Sequence, residues 1–197
     1  MHTQTHVIMG AALGGRSARN AWAGALGGIL PDVPMLLTVL VLKLASIPDP
    51  IIFGVIYWQE WWQIANGLAH NFFLWGGLFL LALALRERLA ATAEAIDRWS
   101  AVAVFATSGF IHALIDFLCH REDAHMSFWP VTRWKFMSPV SYWDGAYYGH
   151  IFALFEAGLG LALALLVFRR FASRWVRAAL ALAMLLYVAV LAYFILG

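Results

Sequence analysis

Hydrophobic residues are gathered in long stretches along the chain, separated by short polar segments. Four stretches approach the ~20 residues that cross a ~30 Å hydrocarbon core as a helix: 68–85, 101–118, 151–168 and 178–196. A fifth, 21–44, is longer but contains Pro31 and Pro34, and proline kinks or breaks a helix. The stretch 6–13 is too short to cross and is followed by two glycines, so we expect it only to enter the membrane.

This pattern predicts an all-α integral membrane protein with about five to six membrane helices, in a single domain over residues 1–197. The composition agrees, since 63% of residues are hydrophobic and 12% are charged, against roughly 25% charged in soluble domains. Residues 119–149 form the one long polar connection and are expected to cover the membrane domain as a lid. A helix broken at Pro31 is tolerated at membrane depth only where it is buried or lines a wet cavity, so Asp32 should face inward.

The basic residues predict the orientation of the chain in the membrane. If the spans alternate, nine basic residues fall on one side and four on the other, and the richer side is expected to be cytoplasmic. The four on the opposite side are Lys43, Arg121, Arg133 and Lys135. The net charge is only +2 and the basic residues lie between apolar segments, which argues against nucleic acid as a partner.

Ionisable residues inside the apolar stretches are the main indication of function, because a charge at membrane depth is costly without a partner. With a rise of about 1.5 Å per helical residue, counted from the cytoplasmic arginines, five of them reach similar heights. We expect these to converge in the outer half of the bundle, beneath the lid: His6, Asp32, His70, His112 and Asp116.

The strongest local pattern places His112, Asp116 and His120 at positions i, i+4 and i+8. Residues four apart share a helix face, so two imidazoles and a carboxylate can meet one metal ion. Such nitrogen and oxygen ligands suit Zn²⁺, and also Mn²⁺, Fe or Ni²⁺. The chain has a single cysteine, Cys119, which excludes a cysteine-rich structural zinc site and favours a catalytic one.

Further residues are assigned roles around this ion. Asp32 and Asp123 are candidate catalytic residues, and Asn71 and Glu156 are expected to orient the ligands. Candidates for binding an anionic substrate lie at the cavity mouth: Arg121, His125, Arg133 and Lys135. Three simpler interpretations stay open: a solvated loop over 122–125, a mutual hydrogen bond between two buried groups of one helix, and helix capping at residues 70 and 71.

A set of short motifs, taken in order, resembles a known family. The motifs are Thr5-His6, Leu30-Pro31-Asp32, Gly67-Leu68-Ala69-His70-Asn71, His112-x-x-x-Asp116 and Trp129-Pro130. They resemble the bacterial inner-membrane metal-dependent hydrolases of the YdjM/YbcI type, and 128–144 is similar to a subgroup labelled cobalamin-biosynthesis proteins. The resemblance implies an inner-membrane location and a metal site at His6, Asp32, His70, His112 and Asp116. Where the family has H-R-G-x-T-H-S, this chain lacks the first His and the Arg.

These observations support three functional hypotheses. The first is a hydrolase in which a divalent metal, most simply Zn²⁺, activates water against an ester or phosphoester of a lipid or lipid-linked substrate, with the site facing the extracytoplasmic side. The second is a carrier for protons or metal ions that uses the same side chains. The third is a scaffold in which the polar groups only fix helix packing.

Overall fold

The computed structural model describes residues 1–89 and 91–196, and the regular structure in this part of the chain is entirely helical. The α-helices are α1 (Thr3–Leu13), α2 (Ala18–Ile29), α3 (Val33–Leu44), α4 (Asp49–Ile51), α5 (Glu60–Ala69), α6 (Phe72–Leu89), α7 (Ala93–Cys119), α8 (Gly149–Arg170) and α9 (Arg174–Leu196). Short 3₁₀ turns lie at Leu30–Asp32 and Gly145–Tyr147, and α4 continues as a π-helical turn, Ile52–Ile56.

Five helical stretches are long and apolar enough to cross a membrane: Ala18–Leu44, Glu60–Leu89, Ala93–Cys119, Gly149–Arg170 and Arg174–Tyr193. The short helix α1 packs against them. The predicted all-α membrane fold is therefore confirmed.

The first spanning stretch is interrupted where the prolines predict it. Helix α2 ends at Ile29, a single 3₁₀ turn follows, and α3 begins at Val33. Pro31 lies within this turn. Proline has no backbone N–H to donate, and at this position no regular α-helical hydrogen bond is lost. The break leaves Asp32 with a side chain only 9% exposed, within the bundle.

A second interruption lies between α5 and α6, in a segment that contains no proline. The sequence predicts one helix over 68–85 with His70 at its outer start, whereas the structure has α5 beginning at Glu60 and a break at His70 and Asn71. The Asn71 side chain accepts a hydrogen bond from Leu74 N at 2.9 Å, as an N-cap does. This capping starts a new helix at Phe72 and turns His70 into the bundle.

Helix α1 packs against α2, α7 and α8, and this position is possible because glycines let the backbones approach. A Cβ built on Gly24 of α2 would lie 1.9 Å from Gly10 O of α1. A Cβ on Gly28 would lie 2.4 Å from His6 O. The glycines therefore hold α1, with His6, against the middle of the bundle.

The connection from α7 to α8 is irregular but tied to the helices by backbone hydrogen bonds. Phe72 N donates to Ser127 O at 3.0 Å, and Tyr142 N donates to Cys119 O at 2.9 Å. Ser138 Oγ donates to Leu118 O at 2.6 Å. These bonds hold the predicted lid close to the end of α7.

Candidate metal centre

Two histidines present free ring nitrogens to the middle of the bundle. His112 Nδ1 on α7 lies 2.7 Å from Gly28 O, and His70 Nδ1 at the α5–α6 break lies 2.9 Å from Asn66 O. Because a carbonyl only accepts, each Nδ1 carries a proton, and in the neutral form of the ring Nε2 then offers a lone pair. Both rings are at most 1% exposed, and neither Nε2 has a hydrogen-bond partner.

Two carboxylates face these nitrogens. Asp116 Oδ2 lies 3.1 Å from His112 Nε2 and 3.5 Å from His70 Nε2. Asp32 Oδ1 lies 3.5 Å from His112 Nε2 and 3.9 Å from His70 Nε2. The donor atoms of all four residues lie within 4.8 Å of one another, and this buried group could hold a metal ion.

His6 joins the cluster from α1 but stands outside this four-residue group. Its Nε2 lies 2.9 Å from Asp116 Oδ1, whereas His112 Nε2 contacts the other oxygen, Oδ2. Its ring stacks on His112 with the centroids 3.6 Å apart. The amino group of Met1 contacts the same Asp116 oxygen at 2.8 Å. His6 therefore holds and orients Asp116, and the structure brings all five residues that were expected to converge into one place.

A second group of possible ligands lies beside the first and shares Asp116 with it. Its other members are His120 and His125, and the donor atoms again lie within 4.8 Å of one another. Helix α7 ends at Cys119, so His120 is the extended C-cap residue rather than a third position on the helix face. Its Nε2 lies 3.5 Å from Asp116 Oδ2, and its Nδ1 lies 2.9 Å from Asp123 Oδ2.

The charge states in the lid suit this second group. Burial, together with the neighbouring His70 and His120, holds the pKa of His125 well below its usual range, so its imidazole is neutral and has a lone pair to offer. Burial acts to raise the pKa of Asp123, but contact with His120 outweighs it and the pKa lies below the ordinary value. Asp123 is therefore an ionised neighbour of His120.

A cavity of about 790 Å³ opens onto both groups. Its wall carries five carboxylates, those of Asp32, Asp116, Glu122, Asp123 and Asp144. Aromatic residues line its outer part: Phe53, Tyr57, Trp58, Tyr142 and Trp143. Among the described residues that line it there is no Lys or Arg.

The three cations predicted to bind an anionic substrate point elsewhere. Arg121 pairs with Glu122 at 3.1 Å and lies over the Tyr147 ring. Arg133 pairs with Glu60 at 2.6 Å, and Lys135 donates to Gln63 Oε1 at 2.5 Å. The structure therefore does not bring these cations into the cavity. His125, predicted with them, lies with the possible metal ligands instead.

The two residues predicted to orient the ligands form hydrogen bonds with segments that flank the site. Asn71 caps α6, and its amide also donates to Trp129 O. Glu156 on α8 accepts from His2 N at 2.8 Å and from Thr5 Oγ1 at 2.7 Å, and it does not contact either group of possible ligands through any described hydrogen bond. Both residues fix backbone segments that flank the site.

Four contributors to the site were missed from the sequence, and one of them is the amino group of Met1, which contacts Asp116. Gly28 and Asn66 act through backbone carbonyls, which no side-chain motif reveals. Thr3 donates from Oγ1 to Asp32 Oδ2 at 2.5 Å. Its position one helical turn before His6 and beside the Thr5-His6 motif was the only available indication.

The fold and the site together define a class: an all-helical membrane protein with a buried His/Asp group that could hold a metal ion. Comparison of the chain with protein-family models, with curated proteins and with solved structures finds no match. The class is therefore carried by the helices and the site alone.

Proposed function

We propose that this protein is a membrane-embedded, metal-dependent hydrolase, with Zn²⁺ as the metal. The observation that carries the proposal is the orientation of His70 and His112, each with Nδ1 on a backbone carbonyl and Nε2 unpartnered. Metal-binding histidines are commonly oriented in this way, through the nitrogen that does not bind the metal.

The spacing of the donor atoms supports the same proposal. Bonds of ~2.0–2.2 Å to a tetrahedral Zn²⁺ place neighbouring ligand atoms ~3.3–3.6 Å apart. The four histidine-to-carboxylate distances, 3.1, 3.5, 3.5 and 3.9 Å, bracket that value. Asp32, His70, His112 and Asp116 are thus the proposed ligands, and His6 and Thr3 hold the two carboxylates in place.

The cavity favours catalysis over a purely structural metal. Asp32, His70 and Asp116 line it, so water and a substrate have a route to the proposed ligands. A divalent ion held by these residues would lower the pKa of a bound water toward neutrality and polarise an ester or phosphoester oxygen. The protein's own contribution is to fix both carboxylates and both imidazoles before the substrate enters.

The surroundings of the cavity favour a lipid or lipid-linked substrate. Trp58 and Trp143 are at the mouth and are about half exposed, at 47% and 58%. Tryptophan is favoured at the membrane interface, where its ring contacts both acyl chains and water. Since no Lys or Arg is among the described lining residues, an anionic group of the substrate would rely on the metal.

The proposal extends to membrane and family. Nine basic residues lie on the side of the bundle away from the lid, which favours a cytoplasmic location for that side. The cavity would then open to the extracytoplasmic side. We place the protein in the bacterial inner membrane and in the YdjM/YbcI-type family, on the motifs quoted in the sequence analysis.

Two measurements on detergent-purified full-length protein test the proposal. The first is metal content by mass spectrometry, and the second is hydrolysis of phospholipid vesicles. We expect stoichiometric zinc in the wild type and loss of both metal and hydrolysis in His112→Ala and Asp116→Ala. His150→Ala is the matched control, because His150 is exposed and lies outside both ligand groups. A metal-free wild type, or hydrolysis that survives His112→Ala, contradicts the proposal.

A metal-ion carrier is the second candidate, and one observation favours it. Two broken spans meet at the site, one at Asp32 and the other at His70. Discontinuous helices form ion sites near the middle of many transporters. Zinc flux into proteoliposomes, abolished by His112→Ala and without any hydrolysis, would select the carrier.

A further inference from the structure

The geometry points to a second metal ion, held by Asp116, His120 and His125, with the Asp116 carboxylate shared between the two ions. This inference rests on the proposed metal centre, which supplies the first ion. Two possible ligand groups are present, and Asp116 is the one residue that belongs to both.

His120 also has an unpartnered, buried Nε2, but its Nδ1 contacts a carboxylate without the hydrogen bond that orients His70 and His112. The residue is only 7% exposed, and its Nε2 has no hydrogen-bond partner in the described structure. Its Nδ1 lies 2.9 Å from the carboxylate of Asp123. A carboxylate behind an imidazole, with the other nitrogen free, is the arrangement that orients many metal-bound histidines.

His120 cannot simply extend the first group along α7. The helix ends at Cys119, and the backbone of His120 is extended rather than helical. The ring approaches Asp116 Oδ2 to 3.5 Å, yet His120 is absent from the group that contains Asp32, His70 and His112.

His125 completes the second group from the lid. Its ring stacks on His70 with centroids 3.8 Å apart and lies 4.9 Å from the His120 ring. The loop that carries it is anchored on both sides, since Tyr57 Oη donates to Asp123 O and Phe72 N donates to Ser127 O. The second group therefore joins Asp116 of α7 to His120 and His125 at and beyond the end of that helix, whereas the first group lies on the membrane helices and their breaks.

The shared carboxylate gives the second ion a chemical role. Paired ions in hydrolytic sites lie ~3.5–4 Å apart and stabilise both the attacking and the leaving oxygen of a displacement. His120, His125 and Asp123 all line the cavity, so the second ion would be on the substrate's side of the site.

Zinc stoichiometry of the full-length protein tests the inference. We expect two equivalents in the wild type, one in His120→Ala, His125→Ala and His125→Gln, and two in the exposed control His150→Ala. Asp123→Asn should weaken binding of one equivalent by ~10–100-fold and leave the other unchanged, as for other carboxylates behind metal-bound histidines. Asp123→Glu keeps the carboxylate and should bind the second equivalent more tightly than Asp123→Asn. Folding of each variant is checked by circular dichroism and gel filtration.

Substitution with Co²⁺ adds a readout that misfolding does not imitate. Two Co²⁺ ions that share a carboxylate are magnetically coupled, so the wild-type signal per ion in electron paramagnetic resonance should be weaker than that of His125→Gln. One equivalent in the wild type that persists in His125→Gln overturns the second ion and leaves the hydrolase proposal standing. A wild type without metal overturns both.

Discussion

The proton position on His70 and His112 decides what the buried cluster can do. Each Nδ1 donates a hydrogen bond to a backbone carbonyl, so in the neutral form of the ring each Nε2 can act as an acceptor or a ligand. Five ionisable residues packed this closely, with several buried nitrogens unpartnered, would be unfavourable in a protein that used them only for packing. This argues against the scaffold hypothesis.

Glu156 offers a test of what holds α1 over the site. Its carboxylate accepts bonds from His2 and Thr5 but touches no proposed ligand, so Glu156→Gln should leave zinc stoichiometry unchanged. Loss of charge-assisted hydrogen bonds should lower the free energy of unfolding by roughly 1.5–3 kcal/mol. Thermal unfolding in detergent, with metal analysis of the same samples, measures both effects.

Phe155→Leu provides the control, because it changes the neighbouring position on α8 at an exposed side chain. If Glu156→Gln instead weakened zinc binding ~10–100-fold at unchanged stability, Glu156 would be orienting a metal ligand, as the sequence analysis predicts.

Helix α1 reaches the centre of the bundle because glycine backbones allow it. Its contact with α2 places Gly10 and Gly24 so close that each Cβ would overlap the other backbone. The same feature brings His6 within 2.9 Å of Asp116. Packing between two elements thus controls the position of a side chain at the site.

Gly24→Ala is expected to destabilise the protein by ~1–3 kcal/mol, because the new methyl group would lie 1.9 Å from Gly10 O and the helices must separate. The shift should be visible as a lower melting temperature in detergent and as weaker zinc binding.

Gly77→Ala is the matched substitution, since a Cβ there meets nothing within 4 Å. It should be neutral or stabilise α6 by about 0.5–1 kcal/mol through helix propensity. Equal melting temperatures for the two variants would show that the approach of α1 to α2 does not limit stability.

The molecule as a whole divides into a membrane bundle and a lid on one side of it. The basic residues are concentrated away from the lid, so the lid should be extracytoplasmic. Two exposed positions report on this: Val131 in the lid, which is 77% exposed, and Ser173 between α8 and α9.

In intact spheroplasts, Val131→Cys should react with a membrane-impermeant maleimide, and Ser173→Cys should react only after the membrane is permeabilised. The native Cys119 is 1% exposed and should give little background in the unsubstituted protein. The reverse labelling pattern would invert the orientation and place the cavity on the cytoplasmic side.

Most of the helical architecture was predictable because its causes are local. Hydropathy over ~20 residues identifies a membrane helix, and Pro31 breaks one wherever it lies. The break at Asn71 was not predictable in this way. Asparagine caps a helix only when the backbone before it turns, and that turn depends on the lid, through the contact of Asn71 with Trp129.

By itself, the sequence determined the membrane spans, the break at Asp32 and the shared depth of the ionisable residues, since these follow from composition and from the rise per residue. Only the tertiary structure decided how the histidines divide into two groups, which nitrogen of each faces inward, and that the basic residues lie outside the cavity. The physical reason is that these properties arise from contacts between distant segments, such as the bond of His112 to Gly28, 84 residues away.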